Sequence, residues 1–149
     1  MRLNAFSDLC LRVVMLLAAA PDGRVLTSRQ VAEAVEIPYN HVSKAMIRLR
    51  ELGLVDVTRG RAGGAVLSGL GRTTTVGWLL RRLDTRPTVA DCSTPNGNCP
   101  LNRDCSLRSA LARAREAFYA ELDAVVISSL PHENQMAPVF VTLSTLRPV

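Results

Sequence analysis

Three cysteines stand within fourteen residues of this 149-residue chain: Cys92, Cys99 and Cys105, in the run D-C-S-T-P-N-G-N-C-P-L-N-R-D-C. Pro95, Gly97 and Pro100 interrupt the run, so it reads as loop. Thiolates are soft donors that suit zinc or an iron–sulfur cluster, and both ordinarily take four ligands. The run is therefore a site one ligand short. Spacers of six and five residues give one loop enough chain to fold around a cluster. Structural zinc sites favour cysteine pairs about two to four residues apart. None exists here, which disfavours zinc. The plain alternative is three unrelated thiols, some of them redox-active.

The fourth donor has several candidates. Cys10 is the remaining thiol. However, it shares a helical face with Phe6, Val13 and Leu17, and free cysteine commonly packs as a small hydrophobe. His41 and His132, the only histidines, are poorly placed, far from the cysteine run in sequence. Among the acids, Asp91 and Asp104 are nearest in sequence, and Asp8 is one of the more distant.

These residues must be positioned by helices. Residues 3–20 carry Phe6, Cys10, Val13, Val14 and Leu17 at helical spacing. Asp8 and Arg12 lie four apart off that face, and Pro21-Asp22-Gly23 ends the helix. Thr27 and Gln30 have the spacing of a capping box and predict a second helix. After the break Ile37-Pro38-Tyr39-Asn40 a third helix runs to about Leu52, with Gly53 as the residue that terminates it. Its inward stripe is Val42, Ala45, Met46, Leu49 and Leu52. Its outward face carries His41, Lys44, Ile47, Arg48 and Glu51. Leu54–Thr58 and Ala65–Leu67 flank a glycine-rich basic turn and predict a β-hairpin. Residues 69–84 read as one helical piece. A long helix from 106 to about 130 carries Leu107, Leu111, Ala114, Phe118, Leu122 and Val125 as an apolar seam on a charged helix, the pattern of a dimer surface. Residues 139–143 of the tail read as a strand or as unstructured. The expected fold is mainly α: a winged helix-turn-helix with a small hairpin wing and a long C-terminal dimerisation helix. The expected divisions are 1–84, a DNA-binding domain; 85–105, the cysteine loop; 106–130, the dimer helix; and 131–149, a tail.

Composition fits this reading. Apolar residues are 48% and aromatics 4%, so a core of Leu, Val, Ala and Met is expected. The net charge of +5 suits nucleic acid, and the clustering of arginines favours it. The apolar stretch 9–20 is broken by Arg12 and too short to span a bilayer, so a cytoplasmic protein is expected. No phosphate loop, paired-histidine motif or nucleophile elbow is present, so an enzyme is not expected.

A recognition helix offers its N-terminal side chains to base edges in the major groove. Here these are Tyr39, Asn40, His41, Ser43 and Lys44, with Arg48 nearer phosphate. Arg29 reaches phosphate from the second helix. Arg59 and Arg61 of the wing meet a minor groove or the backbone. The bland reading is a solvated basic face. The ordered combination of cap, break, helix, glycine and basic hairpin is more specific than charge alone.

The strings M-R-L-N-A-F-S-D-L-C-L-R-V, I-P-Y-N-H-V-S-K-A-M-I-R-L and R-G-R-A-G-G-A-V-L resemble the Rrf2 family of bacterial winged-helix regulators, over about residues 1–130. The strings L-G-R-T-T-T-V-G-W-L-L, N-C-P-L-N-R-D-C-S-L-R and A-R-E-A-F-Y-A-E-L-D are similar to its nitric-oxide-sensing repressors. The resemblance implies a homodimer on operator DNA with one 4Fe-4S cluster per subunit, and a 2Fe-2S form after exposure to oxygen. The implied ligands are Cys92, Cys99, Cys105 and Asp8 of the partner subunit, with Arg12 holding that carboxylate. It implies that nitric oxide attacks the cluster, displaces Asp8 and releases DNA. Members with a 2Fe-2S cluster use a histidine just after the third cysteine, where this chain has Arg108. The first spacer is six residues where the resemblance leads to five. The remaining alternatives are an iron- or redox-sensing regulator of the same family and a cluster-free thiol-switch DNA-binding protein.

Overall fold

Local signals set most of the helix ends. The computed structural model describes residues 3–21, 24–60, 63–86, 89–90, 99–101 and 104–145, with side chains to 141. Helix α1 (Ala5–Ala19) begins at Asn4, whose side chain accepts the Ser7 amide at 2.7 Å. Helix α2 (Ser28–Val35) has the capping box that its sequence predicts. The Gln30 amide donates to Thr27 Oγ1 at 3.2 Å, and the Thr27 amide donates to Gln30 Oε1 at 2.9 Å. Helix α3 (Tyr39–Glu51) starts at the residue after Pro38, two earlier than the break in sequence suggests. It ends as Gly53 takes φ 74°, while the Gly53 amide donates to the Arg50 carbonyl and the Leu54 amide to the Leu49 carbonyl, both at 2.9 Å. That pair of bonds closes a helix end only when the residue after the cap is left-handed, which glycine adopts at no steric cost.

The chain then forms the hairpin β1 (Val55–Thr58) and β2 (Gly64–Leu67), antiparallel with Val55 opposite Leu67 and Thr58 opposite Gly64. Leu26 extends it by pairing with Ala65 through bonds of 3.0 and 2.8 Å. Helix α4 (Gly69–Thr73), helix α5 (Val76–Leu83) and helix α6 (Ser106–Asp123) follow. A 3-10 turn (Ile127–Ser129) and helix α7 (Glu133–Thr145) complete the order.

Two compact units result, one of Met1–Thr74 with Val126–Val149 and one of Thr75–Val125. In the first, α1 packs on α3, α2 and the 3-10 turn, and α3 packs on α2 and β1. Its core includes Val13, Leu16, Leu26, Val31, Val42, Leu49, Leu54 and Ile127, all nearly inaccessible to solvent. Each such side chain stabilises the fold by about 1.5–3 kcal/mol. In the second, α5 lies along α6.

Four expectations are corrected. Residues 69–84 are two helices, because Thr74 is extended and Thr75 caps α5, its hydroxyl accepting the Trp78 amide at 3.2 Å. The helix expected to reach about 130 stops at Asp123. Beyond it the run Val125-Val126-Ile127 turns to outside partners: the Val125 carbonyl accepts from the Val76 amide at 2.8 Å, and the Ile127 amide donates to the Thr74 carbonyl at 3.0 Å. Residues 139–143 are helical within α7, which packs on α2 and buries Met136. Phe6 is exposed, and the buried stripe of α1 starts instead at its neighbour Ser7.

Candidate nucleic-acid interface and thiol site

The outward face of α3 is polar and open. Tyr39, Asn40, His41 and Lys44 are exposed, and Ser43 and Arg48 are half-buried. The opposite face sinks Val42, Ala45, Met46 and Leu49 into the core. Pro38 gives no side-chain cap, so the positive end of the helix dipole lies with Tyr39 and Asn40. Arg48 pairs with Glu51 at 3.2 Å near the far end. Arg29 on α2 and Arg59 after β1 are exposed; Arg61 lies outside the described residues.

A small cleft of about 120 Å³ separates α3 from the hairpin and the start of α2, lined by Ser28, Ser43, Met46, Ile47, Arg50, Val57, Gly64 and Ala65. It adds Arg50 and Ser28 to the residues expected at this surface. Arg50 was missed in the sequence, although it follows Ser43 by seven, two full turns, a spacing that puts both on one face of the helix.

The thiols divide by environment. Cys10 is inaccessible to solvent, and burial pushes its thiol up to about 12 despite Arg48 nearby. Such a group stays protonated and packs as core. Cys99 and Cys105 are half-buried, free of disulfide bonding and therefore within reach of a soft metal. Cys105 caps α6 through its backbone, with no side-chain cap bond, so its sulfur stays available. Cys92 and Asp91 lie outside the described residues. Asp104 has φ 49° and is exposed. In the first turn of α1, Asp8 holds Arg12 at 2.8 Å, with the two side chains 44% and 55% exposed. His41 and His132 are both exposed, on α3 and just before α7. No group of three or more metal-binding side chains assembles among the described residues. The chemistry of the donors nevertheless fits an iron–sulfur cluster: accessible thiols on the cysteine segment, an accessible carboxylate, and the one competing thiol locked in the core.

Helix α6 buries only Tyr119 within the chain. Leu107 is exposed, and Leu111, Phe118 and Leu122 are half-buried, so its seam stays largely open. No helix among the described residues is long and apolar enough to cross a membrane.

Comparison with known proteins agrees with the winged-helix fold. The sequence pattern of the Rrf2 family, described as iron-dependent transcriptional regulators, matches residues 3–133. The chain is 50% identical over 131 residues to the HTH-type transcriptional repressor NsrR of Streptomyces coelicolor, covering 87% of this chain and 88% of that protein. The crystal structure of a transcriptional regulator from Listeria innocua has a TM-score of 0.68 at 23% identity, covering 87% of this chain and 85% of that one. The IscR of T. potens has a TM-score of 0.66 at 19% identity, covering 93% and 87%. These two likenesses concern the fold alone. Hairpin wing, recognition helix and sequence pattern together make the chain a member of the Rrf2 family of winged-helix transcriptional regulators, which are DNA-binding proteins and not enzymes.

Proposed function

We propose that the protein is a nitric-oxide-responsive repressor that binds operator DNA as a homodimer. It carries one 4Fe-4S cluster per subunit, held by Cys92, Cys99, Cys105 and Asp8 of the partner subunit. The observation that carries this reading is the 50% identity to a repressor named NsrR along 87% of the chain. The accessible Cys99 and Cys105 and the accessible Asp8–Arg12 pair support it.

The bound cluster supplies iron that reacts with nitric oxide. Asp8 is the weak member of the ligand set, because a carboxylate holds iron less tightly than thiolate does. Arg12, one turn away, bonds that carboxylate and orients it. Helix α1, which carries Asp8, packs directly on the recognition helix α3. A pull on Asp8 therefore bears on the side chains that read DNA. The open seam of α6 is covered by the second copy, which fixes the spacing of two recognition helices against half-sites about 34–36 Å apart. Tyr39, Asn40, His41, Ser43 and Lys44 face bases, while Arg29, Arg48, Arg59 and Arg61 meet phosphate or minor groove.

The test is anaerobic purification followed by nitric-oxide titration, read by absorbance and operator gel shift together. A brown protein whose colour and operator binding fall in step is expected. A colourless protein, or one that stays on DNA as its colour bleaches, overturns the reading. Asp8→Ala is expected to alter the cluster spectrum, and an unchanged spectrum removes Asp8 from the ligand set. Arg59→Ala is expected to weaken operator binding and to lower the salt dependence by about one counterion, and Lys44→Ala to weaken operator binding and relax sequence preference at the base it meets. The family description as iron-dependent favours iron sensing as a second reading. It predicts release from DNA on iron depletion with no response to nitric oxide.

A further inference from the structure

The segment that carries the cysteines begins where α5 ends, and the chain secures that beginning to α6. Asp84 follows the last residue of α5. Its Oδ2 accepts from the Tyr119 hydroxyl at 2.6 Å and from Arg115 at 3.1 Å, and its Oδ1 accepts from the Arg86 amide at 3.0 Å. The same guanidinium nitrogen of Arg115 donates to the Arg86 carbonyl at 3.0 Å. The Arg115 group also lies 5.4 Å from the centre of the Tyr119 ring. The side chains of Asp84 and Arg115 are only 16% and 26% exposed. Burial acts to raise the pKa of Asp84, yet the bonds from Tyr119, the Arg86 amide and Arg115 hold it below the ordinary carboxylate value.

Helix packing alone does not explain this network. Arg81 already ties α5 to α6 through Asp123 at 2.7 Å and Glu116 at 2.6 Å. The Asp84 network differs in what it holds. Two of its bonds go to backbone groups of Arg86, beyond the end of the helix, and so fix the path of the chain rather than a side chain. Arg115 and Tyr119 lie one turn apart on α6, whose N-cap is Cys105. The anchor point is therefore about 15 Å along the same helix from the third cysteine.

We propose that Asp84, Arg115 and Tyr119 are positioning residues, pinning the start of the cysteine-bearing segment to the helix that Cys105 caps, so that this start is held in place before a cluster binds. The proposal rests on the cluster reading above, but its first measurement does not. In the cluster-free protein, Arg115→Gln and Tyr119→Phe are expected to raise amide hydrogen exchange at Arg86 at least tenfold while residues 79–83 of α5 stay protected. Arg81→Gln is the control: Arg81 lies 5.0 Å from the centre of the Tyr119 ring but bonds neither Asp84 nor Arg86, so the change is expected to lower melting temperature without exposing Arg86. In the loaded protein, the two positioning variants are expected to lose iron to a chelator at least fivefold faster than wild type, and the control is not. Unchanged exchange at Arg86 overturns the anchor. Raised exchange with wild-type iron loss overturns its part in holding a cluster, as does equal iron loss from the control. A wild-type protein that takes up no iron overturns the cluster reading itself, and this proposal with it. Tyr119→Phe keeps the ring and its packing, so it remains informative where Arg115→Gln folds poorly.

Discussion

Cys99→Ala is expected to yield a chain that folds, takes up no cluster and no longer responds to nitric oxide at its operator. Cys99 is half-buried and lies outside the core. Truncation there costs within about 0.5 kcal/mol, as for surface positions generally. Its thiolate has no substitute, because alanine carries no donor and the next thiol, Cys10, is buried and held protonated. Regulated operator binding should fall at least tenfold, or about 1.4 kcal/mol. The matching control is Cys10→Ala. That change removes a core atom at a fully buried site and should cost about 1–2 kcal/mol of stability while leaving cluster uptake intact. Absorbance after anaerobic reconstitution, thermal melting and an operator gel shift separate the two. A Cys99→Ala protein that still turns brown and still releases DNA with nitric oxide would remove the thiol from the mechanism.

Gly77→Ala should destabilise the α5–α6 pair by about 3 kcal/mol. Helix propensity alone predicts the opposite sign, since alanine is better than glycine within a helix by about 1 kcal/mol. Packing decides it. A methyl at Gly77 would run into the Tyr119 carbonyl and into the amide and carboxylate of Asp123. These are backbone atoms of α6 and an oxygen already bonded to Arg81 at 2.7 Å, so none can move aside cheaply. Circular dichroism should show a melting temperature lower by roughly 10 °C, with raised hydrogen exchange along α5. A variant that melts at or above wild type would show that the two helices do not meet this closely.

Legibility followed range along the chain. The capping box of Thr27 and Gln30 and the terminator Gly53 could be read because each is a bond or a backbone angle within a few residues. The outward face of α3 could be read because its buried stripe fixes the phase of every other position. The Asp8–Arg12 pair needed only one helical turn. The end of α6 was placed too late because Leu122 and Val125 continue its apolar seam at helical spacing, whereas the stop comes with bonds to Val76 and Thr74, some fifty residues earlier. The helix over 139–143 was hidden because its β-branched residues suit a strand, and packing on α2 overrides that preference. Asp84 gave no signal at all, since its partners Arg115 and Tyr119 stand 31 and 35 residues away.

The three cysteines show the same division. Residue type and spacing alone determined that this chain offers soft ligands in a loop, a recognition helix, a basic wing and an apolar seam, because thiolate chemistry and helical period are properties of the chain itself. Tertiary structure decided which thiol is withdrawn from that chemistry. It put Cys10 in a core that keeps it protonated, left Cys99 and Cys105 accessible, and anchored the start of their segment on α6. Burial and hydrogen bonding between distant residues exist only once the chain has folded.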